Sequence, residues 1–286
     1  MKAIIHSITG KTNIPVNNIK RVHGGDINET YCVYSGDKKY FLKVNEAARY
    51  PLLFEKEANG LAALKKNTHF IVPGVIHFDI AGNYQYLLME WMEPGQPGNK
   101  FWEEFGRSLA HMHRQTRDFF GWEVDNYIGS ITQKNNQQKK WSAFYSEYRI
   151  LPLIKRGFDE NIFDKKIMQN GELFCRKASD LFPEEPPALL HGDLWSGNFM
   201  IHSIGKPALF DPAVYTGHRE MDMGMMQLFG GFHQRLFDSY HEYYPLETQW
   251  QQRLQLTQLY PLLMHALLFG GHYTHRCRDI LSYFSQ

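Results

Sequence analysis

Apolar and polar positions follow two different rhythms along this chain. Tyr31-Cys32-Val33-Tyr34 and Lys39-Tyr40-Phe41-Leu42-Lys43-Val44 are short runs rich in aromatic and β-branched residues, with the turn signal Ser35-Gly36-Asp37-Lys38 between them. Two strands are predicted there. From Pro51 to Leu64 the period changes: Phe54, Ala58 and Leu61 share one face at 100° per residue, which predicts a helix. Val72 to Phe78 reads as another strand. Asn83 to Met92 is a longer apolar run that stops at Glu93-Pro94-Gly95. Beyond that break the helical spacing takes over. Phe101, Phe105, Leu109 and Met112 predict a helix over roughly 99–115. Further helices are predicted over 141–156, 161–181, the 230s, 247–259 and from 260 onward. Gly121 to Gly129 and the polar tract Gln133 to Lys140 read as loops, the second one solvated. Phe269-Gly270-Gly271-His272-Tyr273 marks a kink or a close-packing point. The pattern predicts an α+β chain of two lobes, 1–92 and 93–286, divided at the Pro-Gly break.

Composition narrows the class. At 286 residues, with 43% apolar and 21% charged, the chain has enough material for a substantial core and is not a disordered one. A formal net charge of +1 gives no electrostatic reason to expect nucleic acid or an anionic membrane as partner. The start, Met1 to His6, has no apolar core of the secretory type, and Tyr260 to Gly271 is too short to span a bilayer. Cys32, Cys175 and Cys277 are scattered and odd in number, so neither a disulfide framework nor a zinc site is predicted, and a reducing cytoplasm is the expected setting.

The chemistry concentrates in Leu189-Leu190-His191-Gly192-Asp193, with Asn198 five residues after the Asp, and in Asp211 after the run Ala208-Leu209-Phe210. Phosphoryl transfer from ATP needs a carboxylate beside the attacking hydroxyl, and an amide oxygen and a second carboxylate to hold magnesium. Asp193, Asn198 and Asp211 have the spacing of those three groups in kinases. Lys43, at the end of its strand, is placed to meet the α- and β-phosphates. On the helical wheel Glu57 lies about 60° from the centre of the apolar face and Glu55 about 100° on the other side, so Glu57 is expected to pair with Lys43. Gly24 and Gly25 precede a strand, where backbone amides can approach phosphates or simply turn. Glu90, Trp91 and Met92 stand where a bilobal kinase holds adenine through its backbone, or are plain core. His218, Arg219 and Glu220 either meet substrate or form an ion pair beneath the catalytic loop. His218 and Arg219 are carried as substrate candidates. His111 and His113 point to different helix faces and read as ordinary helix residues.

With these residues in hand, the chain resembles the fructosamine kinase (ketosamine-3-kinase) family, part of the protein-kinase-like group that also holds aminoglycoside phosphotransferases and choline kinases. The resemblance rests on LLHGDLWSGN at 189–198, FDPAVYTGHREMDM at 210–223, LFGGHY at 268–273 and the supporting stretches RVHGGDIN, YFLKVN and FEKEANGLAAL. It implies a bilobal kinase-like fold and ATP in the cleft, with Lys43 on the phosphates, Glu57 orienting it and the amides of Gly24, Gly25, Asp26, Ile27 and Asn28 over them. It implies magnesium on Asn198 and Asp211, Asp193 taking the proton of a ketosamine 3-hydroxyl, and Trp195 either on the sugar face or packed into its lobe. The acceptor would be a small sugar-amine adduct or a glycated lysine, and the role deglycation. Asp26 stands where some members carry cysteine, so redox control through that loop is not implied. Kinases of aminoglycosides or choline are the alternative, though no dense acidic cluster suited to several ammonium groups is present. A pseudokinase would usually have lost Lys43, Asp193, Asn198 or Asp211, and all four are here.

Overall fold

The computed structural model describes residues 1–22 and 27–285. Its first part is a five-stranded antiparallel sheet of β1 (Asn18–Arg21), β2 (Glu29–Ser35), β3 (Lys38–Glu46), β4 (Val75–Ala81) and β5 (Tyr84–Glu90), in the order β1-β2-β3-β5-β4. Helix α1 (Lys2–Thr12) packs on one face and α2 (Leu53–Asn67) on the other. The period of two along each strand decides which side chain goes where. Leu42 and Val44 of β3 join Val33, Tyr86 and Leu88 against Ile4 and Ile8 of α1. Leu87 and Met89 turn the other way, into the cluster that holds Leu53, Phe54, Ala58 and Leu61 of α2. Lys43 lies between Leu42 and Val44, so it shares the α2 face and reaches the space between the lobes. The predicted helix begins at Leu53 rather than Pro51 and runs to Asn67.

After Pro94 the chain is mainly helical, starting with α3 (Phe101–His113). The predicted loop at 121–129 ends instead in a small hairpin, β6 (Asn126–Ile128) with β7 (Ile131–Gln133). The polar tract after it is not simply solvated either. Gln133 and Asn135 are buried, and Gln133 donates to the Asn126 side chain at 2.8 Å and to the Ala213 carbonyl at 3.1 Å. The predicted helix at 141–156 is α4 (Trp141–Tyr145), a π turn over Ser146–Ile150 and α5 (Leu151–Asp159). The π turn carries Arg149, which is fully buried; it donates to the Lys134 carbonyl at 2.6 Å and to Asn135 at 2.7 Å, and lies 4.3 Å from the Tyr215 ring centre.

Helix α6 (Lys165–Leu181) leads to two short antiparallel pairs: β8 (Ala188–Leu190) with β11 (Tyr215–Gly217), and β9 (Phe199–Ile201) with β10 (Pro207–Leu209). Four helices follow, α7 (Glu220–Phe229), α8 (Gln234–Tyr243), α9 (Leu254–Phe269) and α10 (His272–Phe284). The sequence pattern breaks the last stretch near Pro261, but α9 runs through it. Leu256 to Ala266 is buried nearly all round, and that packing outweighs the roughly 3 kcal/mol a proline costs inside a helix. Among the described residues no helix is long and apolar enough to cross a membrane.

Candidate active site

Strand β8 ends at Leu190, and the chain turns sharply through His191-Gly192-Asp193. Gly192 has φ +82°, and a Cβ there would lie 2.1 Å from the Ala213 carbonyl oxygen, so only glycine allows the close approach. The turn is fixed from both sides. The His191 imidazole Nε2 lies 3.0 Å from the Phe210 carbonyl, and the Ala213 amide donates to the His191 carbonyl at 2.9 Å. These bonds hold the His-Gly-Asp turn against the segment that carries Asp211. Asn198 donates its side-chain amide to the Asp193 carbonyl at 2.8 Å and to Asp193 Oδ2 at 3.0 Å. Asp211 itself has φ +55°, a left-handed backbone that a residue other than glycine adopts at a cost of order 1 kcal/mol or more.

Lys43 comes down from the sheet to meet this group. Its Nζ is 2.6 Å from Glu57 Oε1 and also bonds Asp211 Oδ1. Glu55, two residues before Glu57, is exposed. Burial alone would lower the Lys43 pKa, but Asp211 and Glu57 outweigh it and raise it. Burial pushes the Asp193 carboxyl up to about 7, against the hydrogen bond from Asn198, and the charges of Asp211 and Asp222 add to the rise. A carboxyl held there can gain and lose a proton near neutrality.

Around these groups lies a cleft of about 610 Å³ between the sheet and the helical part. Lys43, Glu57, Asp193, Trp195, Asn198 and Asp211 all line it. Ile27 and Asn28 line it too, pinned by the Asn45 side chain, which donates to the Ile27 carbonyl at 2.9 Å and to Asn28 Oδ1 at 2.8 Å. Glu90, Trp91 and Met92 line it as well. The Glu90 carboxylate is turned back onto the Gly74 amide at 2.6 Å, so its side chain is already engaged. Gly24, Gly25 and Asp26 lie outside the described residues.

The donor set suits magnesium. Among the described residues no three His, Cys, Asp or Glu side chains converge as a metal cage. Magnesium does not need one, because it keeps water and takes one or two carboxylates together with phosphate oxygens. Asn198 spends its amide nitrogen on Asp193, which leaves its oxygen as the remaining donor, and Asp211 supplies a carboxylate lining the same cleft.

His218 and Arg219 are a correction. Neither lines the cleft. His218 is fully buried, and Arg219, 4% exposed, forks onto Glu185 at 2.6 and 2.8 Å and reaches the Tyr244 and Pro245 carbonyls. Burial pushes the His218 imidazole down, so it sits neutral beside that pair. Packed against Glu185 and the carbonyls after Tyr243, they form an internal brace and do not face the cleft.

The sequence reading missed the residue that holds the loop from below. Asp222, 1% exposed, accepts from the His191 amide at 2.8 Å and the Gly192 amide at 3.0 Å. His113 meets the same carboxylate at 3.2 Å and bonds Tyr240 at 2.9 Å. The signal was slight: Asp222 sits in an apolar, Met-rich stretch, where a lone carboxylate must find partners. Asn126 belongs to the same support, donating to the Val214 carbonyl at 2.8 Å.

Comparison with known proteins bears on the same site. The family model described as fructosamine kinase matches residues 1–285. A probable ketoamine kinase of Synechocystis is 36% identical over 288 residues, covering 98% of this chain and 95% of that protein. The chloroplastic protein-ribulosamine 3-kinase of Arabidopsis thaliana is 35% identical over 272 residues, covering 93% of this chain and 82% of that protein. A solved structure from Thermobifida fusca, described as a candidate fructosamine-3-kinase, superposes with a TM-score of 0.90 at 32% identity and covers 99% of both chains. A spectinomycin phosphotransferase bound to ADP and spectinomycin superposes at 0.60 with 15% identity over 99% of this chain and 93% of that one, a likeness of fold alone.

Proposed function

The chain belongs to the fructosamine kinase family, and from that premise we propose that it moves the terminal phosphate of ATP onto the 3-hydroxyl of a ketosamine, a sugar-amine adduct of the fructosamine or ribulosamine type. The observation that carries this reading is the meeting of Lys43, Asp193, Asn198 and Asp211 around one cleft. ATP would lie there, with adenine against the backbone of Glu90, Trp91 and Met92 and its phosphates beside Ile27 and Asn28. Lys43, held by Glu57, would meet the α- and β-phosphates. Asn198 and Asp211 would hold magnesium, which neutralises phosphate charge when bound. Asp193 would orient the acceptor hydroxyl and take its proton. The transition state of phosphoryl transfer is loose, so that carboxylate acts chiefly by positioning. Trp195 would stack on the apolar face of the sugar. The lobes would divide after Met92, and the work would be deglycation in the cytoplasm.

Isothermal calorimetry of nucleotide binding with and without magnesium tests the metal assignment. Asp211→Ala is expected to weaken binding with magnesium and to change it little without. Equal loss in both conditions would assign Asp211 to Lys43 alone.

A further inference from the structure

Helix α2 carries Glu57 to the cleft, and its first turn is held by a residue from the helical part. Tyr127, in the hairpin of β6 and β7, donates its hydroxyl to the Pro51 carbonyl, just before α2, at 3.1 Å. The Lys56 ammonium lies 4.8 Å from the centre of the Tyr127 ring. The Tyr50 ring meets Tyr127 edge-on, with centres 6.1 Å apart and planes at 80°. The helix start has no side-chain cap of its own, since Leu52 stands at the N-cap with φ +60°. On the sheet side, Gln85 of β5 donates to the Tyr50 carbonyl at 2.6 Å. Tyr127 is the matching hold from the helical part.

These contacts fix how α2 is turned as well as where it begins. Glu57 follows Lys56 directly, and successive residues differ by about 100°, so a ring that holds Lys56 also sets the direction of Glu57. The hairpin is a firm base for this. Buried Asn126 donates to the Val214 carbonyl at 2.8 Å, and buried Gln133 to the Ala213 carbonyl at 3.1 Å. Both carbonyls belong to the segment that follows Asp211, so the hairpin is tied to that carboxylate's own backbone. The middle of α2 meets the same segment: a Cβ on Gly60 would lie 3.3 Å from Pro212 Cγ.

We propose that Tyr127 is a positioning residue for phosphoryl transfer, which fixes the turn of α2 from the helical part so that Glu57 keeps Lys43 aimed at the phosphates. The inference rests on the kinase reading above. Of the two carboxylates on Lys43, Asp211 is the proposed metal ligand, so Glu57 is the one left to aim the ammonium once nucleotide is bound. Tyr127 lines the cleft, yet its hydroxyl and its ring are spent on the start of α2. It therefore acts through Glu57.

A double-mutant cycle tests this. Affinity for ADP with magnesium, by calorimetry, and kcat with fructosyl-lysine are measured for the parent, Tyr127→Ala, Glu57→Gln and the double variant. Tyr127→Ala is expected to weaken ADP roughly fivefold and to lower kcat roughly tenfold, the scale of one lost hydrogen bond and one ring contact. In the Glu57→Gln background the same change should cost less than about twofold, because the residue it acts through is already gone. KM for the acceptor should stay within about twofold of the parent value. Tyr127→Phe loses only the bond to Pro51. Its smaller effect, roughly threefold, should vanish in the same background, and it carries the cycle if Tyr127→Ala does not fold. Full additivity of the two changes makes Tyr127 a structural residue and overturns the inference. A raised acceptor KM makes it an acceptor contact and overturns it too. No turnover by the parent overturns the ketosamine reading, while the ADP cycle still decides this one.

Discussion

On the proposed reading, Asp193 is the side chain that meets the acceptor hydroxyl. Its carboxyl is half-buried, bonded to Asn198 at 3.0 Å, and faces the same cleft as Lys43 and Asp211. Asp193→Asn keeps the shape and removes the base, so turnover should fall by roughly 10²–10⁴-fold while nucleotide still binds. Steady-state rates beside a nucleotide titration check this, and retained turnover above about a tenth of the parent would remove Asp193 from the role. Asp222 is the counterpart behind the His-Gly turn, outside the lining of the cleft. Asp222→Asn replaces one acceptor oxygen with a donor facing an amide of the His-Gly turn, and takes away the charge beside His113. A loss of about 2–3 kcal/mol of stability and roughly tenfold in kcat is expected, read from urea unfolding and initial rates. Unchanged values in both would make the clamp inert. Legibility at this scale followed locality. His-Gly-Asp, Asn and Asp announce themselves by spacing within one short stretch. His218 and Arg219 did not, because a titratable residue reads alike in sequence whether it faces a ligand or, as here, Glu185 in the interior.

Whole elements were legible where their period was clean. The alternation in β3 places Lys43 opposite Leu42 and Val44, and the wheel of α2 selects Glu57, so their contact at 2.6 Å follows from two local rules. Helix α1 carried a quieter signal, Ile4 and Ile8 four residues apart, in a stretch read only for targeting features. The tract at 133–140 misled for a physical reason: amide side chains are polar, yet Gln133 and Asn135 are buried because they satisfy backbone carbonyls and Arg149. Between elements, Arg219 at the start of α7 ties Glu185 and the carbonyls after α8. Burial pulls the Glu185 carboxyl up, but the Arg219 fork outweighs it and leaves it below the ordinary carboxylate range. The folded protein therefore binds that proton less readily than the unfolded chain. The resulting stability is complete above the unfolded value, about 4.3, and is lost as pH falls through the lower folded value. Urea midpoints measured from pH 6 down to pH 3 should fall less steeply in Glu185→Gln than in the parent. Parallel slopes would show that the pair carries no such dependence.

At the scale of the molecule, the sheet and the helical part are joined where the chemistry is. Lys43 from the sheet bonds Asp211 from the helical part, and the walls of the cleft come from both. A sheet part followed by a mainly helical part was legible from the switch in period along the chain. The buried scaffold under the catalytic loop was not, because its members, His113, Asp222, Tyr240, Arg219 and Glu185, come from distant parts of the chain and only folding brings them together. The central claim is the acceptor. Magnesium-dependent ATP consumption should be followed with fructosyl-, ribulosyl- and erythrulosyl-lysine, with kanamycin and choline alongside, and the product phosphate located by NMR. Turnover on a ketosamine with phosphate on carbon 3 is the predicted result. Turnover confined to kanamycin or choline, or none on any acceptor while ATP binds, would contradict it.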